Sequence, residues 1–222
     1  MPNAPQQLAA DLAHAQSPAD FHHALRAALG RVDQLGAQTV AASGVKLACC
    51  AGCGLCCTLR VDVFAHEVFL VADHIRTHFS TAERAALTVR LATHAEQVRP
   101  LTPFEHATQN VTCPLLRDSR CSVYAARPHT CRRHHSQDFA ACQFTYDHPT
   151  DLDFPGAHDR ALFRTLTEAM RQGAEVYAQL GYDATIYELG TALAEALASP
   201  ASWRRWRAQK KAFRHASETP AA

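Results

Sequence analysis

Nine cysteines and fourteen histidines stand among 222 residues. Five cysteines fall between Cys49 and Cys57 and four between Cys113 and Cys142. The first group reads Cys50-Ala-Gly-Cys53-Gly-Leu-Cys56-Cys57, with Cys49 just ahead of it. The second holds Cys113-Pro114, Cys121-Ser-Val-Tyr124 and Arg127-Pro128-x2-Cys131-Arg132, with Cys142 beyond. Thiols in such numbers serve as a disulfide framework or as metal ligands. The first sixteen residues carry no Lys or Arg, and Asp11 cuts off the short run Leu8-Ala9-Ala10, so no secretory leader is read. No apolar run reaches the ~18 residues that a membrane span takes. A cytoplasmic location is therefore expected, where thiols stay reduced. An odd number of cysteines also leaves one over in any disulfide scheme. Metal ligation is the stronger reading, ahead of cysteines packed as small hydrophobes.

A C-x2-C step lets two thiolates from one turn reach the same metal, and two consecutive steps bring three round one site. Gly52 and Gly54 let the backbone bend so that its N–H groups face the sulfurs. Neighbouring side chains such as Cys56 and Cys57 are expected to diverge, and so to serve two sites or two metals of one cluster. With Cys49 set aside, eight thiols suffice for two four-cysteine sites.

These segments resemble the signature of the CxxCxxCC family, the YkgJ-type cysteine-cluster proteins labelled as zinc- or iron-chelating. The resemblance covers about residues 47–142 and implies metal binding by these cysteines. It leaves the metal open and says nothing of the flanking segments. Cys49 lies outside the pattern and is read as a spare thiol. Bacterial ferredoxins use C-x2-C-x2-C and a distant Cys-Pro around a 4Fe-4S cluster. Cys50, Cys53 and Cys56 match the run, and Cys113-Pro114 supplies the fourth position. Cys57, Cys121, Cys131 and Cys142 would then form a second site, with Cys142 the outlying member. Zinc also takes four thiolates, and C-x2-C is common in its sites. The three-cysteine run favours an iron–sulfur cluster with a redox or electron-transfer role. The alternative is a zinc-binding structural or interaction module.

Eight thiolates carry more negative charge than two divalent ions neutralise. Arg117, Arg120, Arg127, Arg132 and Arg133 crowd the second segment, and guanidinium groups suit hydrogen bonding around sulfur. Arg127 and Arg132, inside the motif, are the candidates for contact with the cofactor. His129, His134 and His135 flank Cys131, and any of them offers an imidazole in place of Cys142.

The elements that must position these residues read as helices. Ser17-Pro18 starts one over about Pro18 to Val40, with Phe21, Leu25, Ala28, Val32 and Leu35 on one face. His22 and His23 are read as surface residues. The Ser80–Glu83 capping box starts another, with Leu87, Leu91, His94 and Val98 on its face and Pro100 as its stop. A third spans about His158 to Leu180 and carries Leu162, Leu166, Met170, Gly173 and Tyr177. A fourth spans about Ala184 to Ala198 and carries Ile186, Leu189, Leu193 and Leu197. Residues Cys113 to Tyr124 suggest a short hairpin, with Val111 and Cys121–Tyr124 as strands around Asp118-Ser119-Arg120.

The expected fold is mainly α, helices around an irregular cysteine-rich centre, with a short hairpin. Its parts are an N-terminal helical segment (1–46), the metal-binding region (47–148) and C-terminal helices (149–222). The tail from Trp203 to Arg214 holds six basic residues and no acid. Its aromatics follow helical spacing, which suits docking on the core better than an anionic partner such as nucleic acid. A net charge of +1 gives the whole chain no attraction to polyanions. The partner expected is a redox or protein partner. No phosphate loop, G-x-S-x-G or H-E-x-x-H is present to mark a conventional enzyme.

Overall fold

A computed structural model describes residues 3–220. Helices α1 (Ala4–His14) and α2 (Pro18–Ser43) open the chain. Both begin on a capping box with proline in the first turn: Asn3 accepts from the Gln6 N–H and Ser17 from the Asp20 N–H. The sequence reading lacks α1, whose buried stripe is only Leu8 and Leu12. Helix α2 keeps its predicted start and runs on to a left-handed Gly44. Its N-terminal half is buried at Phe21, Leu25 and Leu29, whereas Leu35 is exposed. His22 is not the surface residue expected of it. Its ring stacks on Trp203 with centroids 4.6 Å apart, because the C-terminal helix packs across this face.

Strand β1 (Asp62–Phe64) leads into α3 (Ala65–His78), and α4 (Thr81–Val98) follows. Val68, Phe69, Val71, Ala72 and Ile75 make α3 the most deeply buried helix. A helix covered on most of its circumference has no single stripe, so periodicity does not find it. Helix α4 begins at the predicted Ser80–Glu83 box and buries the predicted Leu87, Leu91, His94 and Val98.

A one-turn helix α5 (Pro103–Ala107) precedes the hairpin of β2 (Leu116–Arg117) and β3 (Arg120–Cys121). The hairpin is shorter than expected, and Val111 is in no strand. Its ladder pairs Leu116 with Cys121 and Arg117 with Arg120. Asp118 and Ser119 turn it at φ 47° and 58°, the two left-handed residues of a tight hairpin. Next come α6 (His129–Arg133), α7 (Phe139–Asp147) and α8 (Arg160–Gln179).

The helix expected over Ala184–Ala198 is divided. Ile186–Glu188 form β4, and the helix proper, α9, is Leu189–Ala198. Strand β4 is the middle of a three-stranded antiparallel sheet, between β1 and β5 (Glu218–Thr219). Val63 and Tyr187 face each other there, both almost completely buried. The carboxylate of Glu188 then caps α9 through the N–H groups of Gly190 and Thr191. Helix α10 (Ala201–Arg207) ends sooner than the tail's spacing predicts, and the chain turns at Gln209 with φ 56°. Its aromatics still dock: Trp206 and Phe213 are fully buried against Phe69, Tyr182 and Tyr187. One hydrophobic core joins these parts, from Leu25 in α2 through α3 and α9 to Leu115 and Val123 beside the cysteines.

Candidate metal centre

The first cysteine group lies on a loop that folds back on itself. The Cys53 N–H donates to the Cys50 carbonyl at 3.2 Å, closing a turn through Gly52. Gly52 has φ 91°, which a side chain would strain. A 3-10 turn over Leu55–Thr58 presents Cys56 and Cys57. Gly54 lies under the hairpin: a Cβ there would stand 3.3 Å from both methyl groups of Leu116. The loop's glycines thus serve a bend and a close approach.

The two cysteine groups meet. The Cys113 N–H donates to the Cys57 carbonyl at 2.7 Å. Helix α4 holds the second segment through Arg90, whose Nε donates to the Pro114 carbonyl at 2.9 Å. The Ser122 side chain donates to Leu115 at 2.8 Å and closes the hairpin's base. Helix α6, which carries Cys131, is fixed by the start of α3. The His129 N–H donates to Glu67 Oε1 at 2.7 Å, while Glu67 Oε2 accepts from the Phe64 N–H at 2.8 Å. Thr130 adds a bond to the Asp62 carbonyl at 2.7 Å. Helix α7, which carries Cys142, is tied in by Asn110, which accepts from Thr58 and donates to the Tyr146 carbonyl.

All nine cysteines are free thiols, with Cys49, Cys50 and Cys56 exposed. Cys56 is the hub. The adjacent Cys57 thiol holds its pKa far above the ordinary value. Cys56 and Cys57, expected to diverge, are near enough to influence one another. Burial pushes Cys113 up to about 12. It raises Cys131 too, reinforced by Cys113, Cys121 and Cys56, and it raises Cys121 beside Cys56. Cys142 is raised by burial and feels Cys49, Cys53 and Cys56. Cys49, set aside as spare in the sequence reading, thus shares a neighbourhood with Cys53 and Cys142. Among the described residues no three Cys, His, Asp or Glu side chains close on a point where one ion would sit. The backbone brings the segments together, and the thiols line the junction.

This donor set fits a thiophilic metal. It is all sulfur, its members suppress one another's ionisation, and a cation among them reverses that balance. Arg127 places positive charge where it lowers the pKa of both Cys56 and Cys121, with its guanidinium 3.9 Å above the Tyr124 ring. Arg132 is used differently. It donates to the carbonyls of Arg127 and Ala125 at 2.8 Å each and pairs with Asp33 of α2, bracing the turn that leads to Cys131.

The three histidines separate. His135 has both ring nitrogens engaged, Nδ1 with the Arg133 carbonyl at 2.8 Å and Nε2 accepting from the Asp159 N–H at 3.0 Å. His129 belongs to the Glu67 junction. His134 lines a small cavity of about 50 Å³ together with His135, His158, Cys56 and Cys142. Burial, followed by His158, lowers its pKa to about 4, leaving a neutral imidazole. The sequence reading missed Glu67, the residue that positions Cys131. Its only local signal is a glutamate three residues after Phe64, at the start of an unrecognised helix.

No helix is long and apolar enough to cross a membrane among the described residues. No curated protein and no solved structure matches the chain. A family model does match, over residues 49–150, and it spans both cysteine groups and α7. That model is described as "CxxCxxCC: Putative zinc- or iron-chelating domain", so residues 49–150 are similar to the CxxCxxCC family, which supports metal binding by this cysteine-rich stretch.

Proposed function

We propose that the cysteine junction holds an iron–sulfur cluster and that the protein passes single electrons to a redox partner. The ligands in this reading are Cys50, Cys53, Cys56 and Cys57 from the first segment and Cys113, Cys121, Cys131 and Cys142 from the second. The carrying observation is the meeting of the two cysteine segments, joined where the Cys113 N–H donates to the Cys57 carbonyl at 2.7 Å. One tetrahedral ion takes four ligands, and this neighbourhood offers more sulfur than that. The run Cys50-x2-Cys53-x2-Cys56 with Cys113-Pro114 supports the same choice. Arg127 supplies positive charge beside the sulfurs, and Arg132 fixes the turn that carries it. Cys50 is exposed, which puts the centre within reach of a partner. When bound, the cluster supplies a one-electron couple at a potential set by charge and hydrogen bonding around it.

Anaerobic purification followed by visible spectroscopy and iron, sulfide and zinc analysis tests this. A brown protein with matched iron and sulfide is expected. A colourless protein that retains zinc would replace this reading with the zinc-stabilised module.

A further inference from the structure

The apolar stripes of α2 and α8 read as core that should pack together. They do touch at Gly36, where a Cβ would stand 3.5 Å from Leu166. Beyond that contact, α1, α2, α8 and the starts of α3 and α6 enclose a cavity of about 700 Å³. We propose that this cavity binds a small apolar organic molecule with an oxygen-bearing head, in the size class of a medium-chain fatty acid or alcohol.

The volume falls within the ~300–1,000 Å³ typical of small-molecule sites. The body of the cavity is apolar, with Leu8, Leu29, Val32 and Met170 on its walls. Exposed Gln34 and Gln38 mark its mouth. Two of its lining residues carry buried nitrogens that no protein group satisfies, His66 Nδ1 and Arg127 Nε. Buried polar atoms are nearly always partnered, so two orphans on one cavity call for a ligand atom. Arg127 Nε–H donates only, and His66 Nδ1 donates or accepts according to tautomer. A hydroxyl or carboxyl oxygen is a partner for either of them. The His66 ring is rigidly presented, stacked on Tyr177 at 3.8 Å and flanked by Phe64 at 5.8 Å. Glu67 does not turn this end into a cation site, because both its oxygens accept backbone N–H groups. The cavity backs onto the metal centre through the Arg127–His129 turn, although binding there does not depend on which metal is held.

The test is calorimetric titration of the full-length, metal-containing protein with decanoic acid and with decanol. A Cβ at Gly173, on the cavity wall, meets no atom within 4 Å, so Gly173→Leu fills space. Leu also favours the helix over Gly, so the variant keeps its fold. Unchanged metal content and visible spectrum confirm that. One-to-one binding of either compound is expected, lost in Gly173→Leu. It should weaken by up to about tenfold in His66→Phe, which keeps the ring stack and removes the nitrogen. Absence of saturable binding by both compounds, or undiminished binding by Gly173→Leu, overturns the proposal.

Discussion

Replacing Glu67 by Gln tests how the fold holds the metal centre. Glu67 is 3% exposed and 62 residues before His129 in sequence, yet it joins three elements. Its two oxygens accept from Phe64 at the end of β1 and from His129 at the start of α6. Gln is the same size but has only one carbonyl oxygen. Whichever N–H that oxygen serves, the other faces an NH2 group and loses its acceptor in a buried place. Losing charge assistance on one bond and stranding the other donor costs about 2–4 kcal/mol. In a chain of this length that lowers the melting temperature by roughly 4–16 °C. The urea midpoint should fall with no change in slope, since the same surface is exposed on unfolding. Cys131 sits two residues beyond His129, so chelators should also strip metal from the variant faster. Glu83, which caps α4 in the same way but on the surface, is the control: Glu83→Gln should lower the melting temperature less. A Glu67→Gln protein that melts within about 1 °C of wild type refutes the view that this carboxylate anchors α6.

Cys53→Ser and Cys121→Ser should each reduce the metal bound per chain, read by elemental analysis, because they come from opposite segments of one centre. Gly52→Ala forces a side chain onto φ 91° and should destabilise by about 1–2 kcal/mol in urea titration while weakening metal retention. Trp206→Ala, at a fully buried position, should cost about 3–5 kcal/mol in the same assay. If the tail only met solvent or an anionic partner, stability would not change. Glu188 governs the acid limb. Burial alone would raise its pKa, but the hydrogen bond to His94, the His94 charge and the N–H groups of α9 outweigh burial and hold it at about 2. Its stabilisation is therefore complete above its ordinary 4.5 and is lost as pH falls from there toward 2. That amounts to on the order of 3 kcal/mol, and Glu188→Gln should flatten this part of the stability–pH curve.

The legible elements are those with caps and a one-sided stripe. Helix α4 is the clearest, since Ser80, Glu83 and the Leu87–Leu91–His94–Val98 face all lie within its own span. Helices α2 and α8 were placed by the same local signals. Helix α3 lacked them: its residues bury on nearly every side, and a helix without a polar face has no phase to read. The β4 strand failed for the opposite reason. Ile186 fits the stripe of Leu189 and Leu193 by spacing, but Tyr187 and Glu188 are claimed by β1 and by the cap of α9. The β1 partners lie more than a hundred residues away along the chain, and no window of sequence contains them.

The same division runs through the metal centre. Residue type and spacing are local, so the thiols, the glycine bend and the Asp118–Ser119 turn were visible at once. What the thiols do to one another is not local. Cys49 was set aside because it lies outside the motif, yet α7 brings Cys142 back to where Cys49 and Cys53 bear on its ionisation. Arg127 and Arg132 look equivalent along the chain, five residues apart and each next to the motif. In the fold Arg132 is consumed by carbonyls and Asp33, whereas Arg127 keeps its charge on the sulfurs of Cys56 and Cys121. The distinction predicts unlike phenotypes. Arg132→Gln removes a brace from a partly buried turn and should show first as lost stability. Arg127→Gln removes a charge next to the ligands and should show first in the centre itself, as faster metal release at nearly unchanged melting temperature. Equal loss of stability in the two variants would mean that Arg127, like Arg132, is only a brace.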